Sequence, residues 1–303
     1  ETKLQQGKAF VNKINNAYRL VSGWKVSDTL YQPISSKIAI EWYQSKFQSA
    51  YSEMENHFSK YRLSDSLMTI YKLIWDDFCS WLLEMVKPGY QQPIDRITFD
   101  AIISAFENNL KLLHPFMPFI TEEIWHQISD RSIEEALIIS RYPSRNDVNK
   151  TILNDFEITS EVISGIRSIR KEKNISFKEP IKLFVINNIK ACTSFDTVIK
   201  KMGNVTHLEY ISEKIEDALT FRVKSNEYFI PMEGSINVET EIAKLSDELT
   251  YTEGFLKSIQ AKLNNERFMN NAPEKVVASE KQKEADALAK ITMIKSSLSS
   301  LTE

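Results

Sequence analysis

The C-terminal part of the sequence carries an apolar repeat that permits very few structures. From Val238 to Leu263, apolar residues and one Thr recur at alternating steps of four and three. Pro273 interrupts this repeat, which resumes at Ala287 and continues to Leu301. Such spacing is typical of the seam of a coiled coil. Two arms around one break predict an antiparallel helical hairpin, whose first arm of about 28 residues would extend roughly 40 Å at 1.5 Å per residue.

Residues 1–140 show the periodicity of amphipathic helices. Apolar stripes at steps of three and four run through 47–58, 67–85 and 99–113. One such stripe per segment predicts helices that each bury one face. The second ends at Lys87-Pro88-Gly89, where Pro cannot continue the hydrogen-bond ladder. Four or five helices with short loops make a helical bundle.

Between residues 147 and 233 the pattern changes to a mixture of helix and strand. Phe156–Lys173 keeps the helical period and is followed by short runs rich in β-branched and aromatic residues. The predicted strands are 181–186, 207–211, 219–223 and 227–231. We therefore expect a mainly α protein with three domains. They are a helical bundle at 1–146, a small α+β linker domain at 147–235 and an antiparallel coiled-coil hairpin at 236–303.

The composition argues for binding rather than chemistry. Gly accounts for only 7 residues, and neither phosphate-loop pattern, G-x-x-x-x-G-K-[S/T] nor G-x-G-x-x-G, occurs. Two Cys and four scattered His predict no zinc site, and the distant Cys suit a reducing compartment. No apolar run approaches the ~20 residues of a membrane-spanning helix. The chain begins without Met or a signal core, so we expect it to be part of a longer protein.

The basic residues are unevenly distributed. The formal net charge is −3, from 38 basic and 41 acidic residues. Residues 1–25 hold five Lys and Arg against one Glu, while 160–182 and 257–283 each hold six against three Glu. Separated positive zones on an acidic chain favour a partner with a long phosphate backbone. The alternative is that these zones are ordinary solvated helix faces.

The most distinctive string is LHPFMPFITEEIW at 113–125. Its two prolines break one helix, and we expect Thr121 to cap the next, as Ser64 or Asp65 would cap an earlier one. His114 with the Glu122–Glu123 pair could suggest acid–base chemistry, but capping and the helix dipole explain these carboxylates. Four side chains of the string should fill the bundle core: Phe116, Met117, Phe119 and Trp125.

This string resembles the tRNA-anticodon-binding helical bundle of class I aminoacyl-tRNA synthetases of the valine, isoleucine and leucine group. Four further stretches, in order along the chain, are similar to parts of the valyl-tRNA synthetases. They are 7–20 for the opening helix of the bundle, 75–81 for a W-x-x-F-C-D-W helix, 166–170 for an I-R-x-x-R segment and 262–277 for the tip of a coiled-coil arm. Asn15 and Ser80 depart from the usual residues. Isoleucine enzymes usually end in a Cys-rich zinc module, so the C-terminal heptad hairpin favours the valine enzymes.

The resemblance implies the C-terminal part of a valyl-tRNA synthetase, without its catalytic and editing domains. No His is followed by Ile-Gly-His, and Lys201-Met-Gly-Asn-Val205 shares only two letters with K-M-S-K-S. We therefore expect no catalytic residue, metal or cofactor in this chain, which should be inactive alone. ATP and Mg would bind a catalytic domain outside it. The implied protein is a cytoplasmic monomer that binds valine-accepting tRNA, has catalytic and editing domains in cis and does not contact membranes.

In this family the bundle senses the second and third anticodon letters. The expected anticodon-binding residues lie on the opening helix and beside the Pro-Gly loop: Lys8, Asn12, Lys13, Asn16, Arg19, Trp24 and Lys87. Amide side chains can pair with base edges, while Lys and Arg can also hold phosphate. Trp24 is either a stacking platform for a base or part of the core.

The arm of this family lies against the outer corner of the tRNA. The expected contacts near its tip are Lys262, Arg267, Phe268, Lys275, Lys281 and Lys283. The cations should bind the backbone without reading sequence. Phe268 either sits on the tRNA elbow or packs inside the turn. Arg167 and Arg170 either contact tRNA or hold the bundle against the small domain.

A function of another class stays open at this point. The bundle could be a docking platform of a scaffold protein that binds no nucleic acid, with the coiled coil as a dimer seam. Such a scaffold would elute as an elongated species of twice the mass and would ignore added tRNA. A free-standing tRNA-binding factor derived from a synthetase is a third possibility.

Overall fold

The computed structural model describes residues 2–186, 193–216, 218–231, 238–265 and 274–302. The chain forms two compact units, Glu1–Pro231 and Met232–Glu303. The predicted bundle and small α+β domain thus lie within one unit. The boundary between 235 and 236 falls outside the described residues, and the division into three domains stays a prediction.

The first unit begins with a helical bundle, as the periodicity predicted. Its helices are α1 (Thr2–Ser22), α2 (Ile34–Ser59), α3 (Leu63–Lys72), α4 (Leu83–Val86), α5 (Arg96–Leu113), α6 (Pro118–Ile128) and α7 (Lys150–Glu172). A π-helical segment, Leu73–Leu82, joins α3 to α4, and a short 3-10 helix occupies Leu137–Ile139. The mainly helical fold class is confirmed.

Aromatic side chains dominate the bundle core. Trp42 is fully buried, and its ring centroid lies 4.0 Å from that of Phe156 on α7. The Phe156 ring also contacts Trp81 and Phe195, with centroids 5.2 and 5.5 Å away. Large flat side chains bury much apolar area per residue, so this cluster ties α2, the π-helical segment and α7 together.

Two helices begin earlier than the sequence indicated. Arg62 is the N-cap of α3, so neither Ser64 nor Asp65 caps that helix. Helix α6 begins at Pro118, because Pro lacks the N–H that the first helical position leaves unbonded. Thr121 therefore lies inside the first turn, where its hydroxyl donates to the Met117 carbonyl at 2.8 Å.

The prediction that Phe119 fills the core is wrong. Its side chain is 91% exposed, whereas Trp125 is buried and Phe116 and Met117 pack partly against the core. The early start of α6 turns Phe119 to the outer face of the first turn. The three other members of the string contribute to the core as expected.

The π-helical segment is a feature that the periodicity did not indicate. Within it, the Ser80 hydroxyl donates to the carbonyl of Trp75, five positions earlier, at 2.9 Å. π-helical turns have a wider spacing than the 3.6-residue period of the apolar pattern. The local shift keeps Phe78, Cys79 and Leu82 buried within one continuous helical path.

Two short parallel strands pair the segment after α1 with the segment before α5. They are β1 (Val26–Ser27) and β2 (Ile94–Asp95), with Val26 opposite Ile94. Asp95 also caps α5, since its carboxylate accepts a hydrogen bond from the Thr98 N–H at 2.8 Å. The loop after α1 is thereby fixed next to the start of α5.

A four-stranded sheet follows α7 and closely matches the predicted strands. The strands are β3 (Ile181–Ile186), β4 (Val205–Ile211), β5 (Ala218–Val223) and β6 (Asn226–Pro231), in the order β4-β3-β6-β5. The β3–β4 pair is parallel and is connected through α8 (Asp196–Gly203), and the other two pairs are antiparallel. This arrangement is the small α+β part that the sequence indicated.

Helix α7 packs against both the bundle and the sheet part. A Cβ built on Gly165 would lie 2.4 Å from the Phe221 ring, so only Gly permits this close approach. The buried Arg170 donates to the carbonyls of Gly203 and Ser176, at 3.0 and 2.8 Å. The Arg167 guanidinium lies 5.7 Å from the Trp81 ring centroid. Both arginines therefore hold α7 against its neighbours.

The second unit is a helical hairpin of α9 (Val238–Leu263) and α10 (Glu274–Thr302). Ion pairs join the two helices, Glu253 to Lys295 and Lys262 to Glu280, so later positions of α9 meet earlier positions of α10. The helices are thus antiparallel. Five of the described heptad positions are buried, namely Thr252, Ile259, Ala287, Ile291 and Ile294, and Leu249, Leu256 and Leu263 are half-buried. Over the described part of the chain, no helix is long and apolar enough to cross a membrane.

Candidate nucleic-acid interface

Helix α1 presents a polar face to solvent. Its apolar positions Phe10, Ile14 and Val21 are buried. Four of the five side chains predicted to bind the anticodon are exposed on the other side: Lys8, Asn12, Asn16 and Arg19. At 100° per residue they fall within about 80° of one another around the helix axis. The structure therefore brings these four together on one accessible strip.

Lys13, the fifth predicted residue of α1, lies elsewhere. It is about 60° beyond the edge of that strip by helical geometry. Its ammonium group sits 5.5 Å from the centroid of the Trp75 ring, in cation–π geometry. Lys13 is half-buried and thereby helps to attach α1 to the π-helical segment.

A groove opens where α1 ends. Its volume is about 620 Å³, and its lining residues are Leu20, Gly23, Trp24, Lys25 and the loop 87–92. The groove thus joins two predicted residues that are distant in sequence, Trp24 and Lys87. Trp24 is half-buried and packs partly against the core, and its role as a stacking platform for a base stays a prediction.

Backbone contacts fix the shape of this groove. The Ile94 N–H donates to the Lys25 carbonyl at 2.8 Å, which holds the loop after α1 against the segment that follows residues 87–92. The Gln92 N–H donates to the Gly89 carbonyl at 2.9 Å, and Gln91 has a φ of 60°. Lys87 pairs with Glu84, one turn earlier on α4. The groove is therefore a built concavity with a cation at its rim.

Two lining residues were not singled out from the sequence. Tyr90 is 91% exposed, at the tip of the Pro-Gly loop, and Lys25 is exposed beside Trp24. In the sequence, Lys25 is only one member of the basic zone at residues 1–25. An exposed aromatic residue after Pro-Gly is a usable sequence signal, but only the β1–β2 pairing places it opposite Trp24.

The arm presents its predicted cations unequally. Lys283 and Lys262 both approach Glu280, with nitrogen–oxygen distances of 2.7 and 3.8 Å. Lys281 is exposed and has no carboxylate within 4 Å in the described part of the arm. Arg267 and Phe268 lie outside the described residues, as does the Lys275 side chain.

The remaining chemistry of the described residues is modest. No group of three or more His, Cys, Asp or Glu in the described ranges could hold a metal ion. His114 lies 2.7 Å from the Thr121 hydroxyl, and Glu122 accepts from the Leu137 N–H at 2.8 Å. His114 thereby links the end of α5 to α6, and Glu122 fastens the 129–140 loop to α6, so both belong to the structure of the bundle.

Comparisons with known proteins give two family matches, and each lies within one of the two compact units. Residues 41–185 match the family described as the anticodon-binding domain of tRNA ligase. Residues 237–302 match the family described as the valyl tRNA synthetase tRNA binding arm. A valine–tRNA ligase of Christiangramia forsetii is 57% identical over 302 residues, which are 100% of this chain and 34% of that relative.

The chain corresponds to the C-terminal region of the valine–tRNA ligases. More distant valine–tRNA ligases agree. That of Parabacteroides distasonis is 46% identical over 99% of this chain and 34% of its own length. That of Enterococcus faecalis is 32% identical over 99% of this chain and 35% of its own length. The chain therefore spans about a third of the curated relatives it matches, and the resemblance seen in the motifs is confirmed.

The family matches also show which matched region each part of the surface belongs to. The polar strip of α1 and the groove beside it belong to the part that precedes and enters the anticodon-binding match, while Lys281 and Lys283 lie in the tRNA-binding arm. The roles of individual residues within these parts stay predictions.

Proposed function

We propose that this chain binds valine-accepting tRNA and thereby supports ATP-dependent attachment of valine by a catalytic domain outside it. The bundle would hold the anticodon stem-loop, and the arm would contact the corner of the tRNA. This proposal combines the anticodon-binding and arm matches with an exposed surface suited to RNA.

The observation that carries the proposal is the strip of α1 leading into the groove. Unpaired loop bases are recognised by stacking on aromatic rings and by hydrogen bonds to their exposed edges. Trp24 and Tyr90 offer aromatic faces, and Asn12 and Asn16 offer amide groups. Arg19 and Lys87 add cations on either side for the backbone phosphates.

The same proposal assigns the chemistry to other parts of the parent protein. This chain would need no cofactor of its own, and ATP and Mg would bind the catalytic domain. Catalytic and editing domains would be joined to it in cis, in a cytoplasmic monomer. The hairpin supports the monomer, because α9 and α10 bury their seam residues against each other within one chain.

The test is a filter-binding titration of this chain with valine-accepting tRNA at low salt. The same tRNA with its second and third anticodon letters changed is titrated beside it. We expect tighter binding of the unchanged tRNA. Equal binding would reduce the chain to a general tRNA clamp. Absence of binding, with elution at twice the mass of the chain, would favour the scaffold function instead.

Two tyrosine variants localise the recognition. Tyr90→Ala should weaken binding of the unchanged tRNA by about tenfold, because a stacked base is worth roughly 1–3 kcal/mol. Tyr31→Ala is the matched control, since Tyr31 is 96% exposed but does not line the groove. Similar losses for both variants would contradict a role for the groove.

A further inference from the structure

A lysine of the sheet part reaches the bundle next to the groove. Lys201 lies in the last turn of α8, and its Nζ donates a hydrogen bond to the Lys87 carbonyl at 2.8 Å. These residues are 114 positions apart in sequence. The ammonium group of Lys201 is thereby anchored to the first residue of the loop that forms one groove wall.

The charges around this contact do not balance. Glu84 pairs with Lys87, and in the described part of the chain no carboxylate lies within 4 Å of Lys201. Desolvation and the nearby Lys87 lower the pKa of Lys201 from 10.5 to about 8, while Glu84 acts in the opposite direction. Two ammonium groups therefore share one carboxylate at the junction of α4 and α8. A bound anion would relieve their repulsion.

We propose that Lys201 and Lys87 together bind one phosphate of the tRNA backbone. Helix α8 would then extend the RNA-binding surface from the bundle onto the sheet part. The inference rests on the proposed function, because it takes the phosphate to come from the RNA that occupies the groove. A backbone phosphate fits better than a base, since two ammonium groups beside a backbone carbonyl offer charge without a pattern of donors and acceptors that reads an edge.

A phosphate contact has a recognisable signature. Each neutralised phosphate adds to the dependence of affinity on salt, and losing one contact reduces that slope by about 1. The contact carries no sequence information. Removing Lys201 should therefore weaken the binding of the unchanged and the anticodon-altered tRNA by the same factor.

The experiment compares Lys201→Met with Lys200→Met in the full chain. Lys200 is the matched control because it is the neighbouring exposed lysine of α8, and both changes remove one charge. We expect Lys201→Met to lower tRNA affinity about three- to tenfold and to reduce the salt slope by about 1. Lys200→Met should lower affinity less than twofold, and Lys201→Arg should restore most of the binding. Equal losses for the two Met variants, or an unchanged slope for Lys201→Met, would overturn the proposal.

A second measurement covers the case in which Lys201→Met does not fold. The protonation of Lys201 is followed by NMR of its Cε in the unaltered chain, alone, with tRNA and with inorganic phosphate. Bound tRNA should raise the pKa of Lys201, while millimolar inorganic phosphate should not. An equal rise with inorganic phosphate would assign the site to a free anion, and no rise with bound tRNA would exclude the contact. Absence of any tRNA binding by the unaltered chain would instead count against the proposed function.

Discussion

The bundle and the arm each hold a shielded carboxylate, with opposite consequences. In the bundle, burial raises the pKa of Asp77 from 3.8 to about 6, although Lys46 lies 3.6 Å away. In the arm, the hydrogen bond from Lys283 lowers the pKa of Glu280 below 4.5, and Lys262 adds to the effect. The bundle thus disfavours the charged form of Asp77, whereas the hairpin favours the charged form of Glu280.

The difference follows from the number of packed layers. Asp77 lies in the π-helical segment with only 20% of its side chain exposed, and the neighbouring Phe78 packs against Tyr43 in the aromatic core. Glu280 lies on a two-helix seam, where long lysine side chains reach it from both helices. A deeper core gives more apolar burial but leaves less room to solvate an ion.

Truncation at the centre of the bundle should give the largest effect. Phe156→Ala removes the ring that contacts Trp42, Trp81 and Phe195. We expect the free energy of unfolding of the first unit to fall by about 3–5 kcal/mol, measured by urea unfolding. Phe119→Ala, at an exposed position, should change it by less than about 0.5 kcal/mol. If the arm lost its helicity in parallel with the first unit, the two units would not be independent.

Asp77→Asn should have the next largest effect on the free energy of unfolding, which should change at neutral pH but not at about pH 4. Between about pH 4 and 6, the native protein keeps a proton that the unfolded chain has released, so its free energy of unfolding falls as pH rises through this window. The loss is complete above pH 6 and amounts to roughly 2–3 kcal/mol for a shift of about two pKa units. The Asn variant should therefore be more stable at pH 7 and similar at pH 4, by urea unfolding. A variant less stable at pH 7 would mean that the pairing with Lys46 outweighs the burial.

The sequence predicted the periodic parts of this molecule and missed what depends on distant contacts. The strand predictions at 181–186 and 227–231 hold to within a residue, because short alternating runs carry their own signal. The predicted burial of Phe119 is wrong because α6 begins at Pro118. This start, and not the apolar character of the ring, decides that the Phe119 side chain faces outward. Tyr90 and Lys201 could not be placed at or beside the groove, since the β1–β2 pairing brings Tyr90 there and the contact of α8 with Lys87 brings Lys201 there.

In the arm, Glu280→Gln should produce a pH dependence of opposite sign. The pKa of Glu280 is lower in the folded hairpin than in the unfolded chain. Its stabilising contribution is therefore present above pH 4.5 and is lost as pH falls through the folded pKa. Hydrogen-exchange protection factors of α9 and α10 should fall at acidic pH in the unaltered chain and less so in the Gln variant. Identical pH profiles for the two proteins would show that Lys262 and Lys283 do not stabilise this carboxylate.

The smallest expected effect concerns how the same lysines meet RNA. Lys283 is already hydrogen-bonded to Glu280, so contact with a phosphate requires it to leave that partner, whereas Lys281 is exposed with no carboxylate within 4 Å in the described part of the arm. Lys281→Ala should therefore reduce the salt slope of tRNA binding by about 1 and weaken cognate and altered tRNAs alike. Lys283→Ala should have a weaker effect in the same filter-binding titration. The reverse order would mean that the phosphate displaces Glu280, and the carboxylate that stabilises the hairpin would then compete directly with the tRNA.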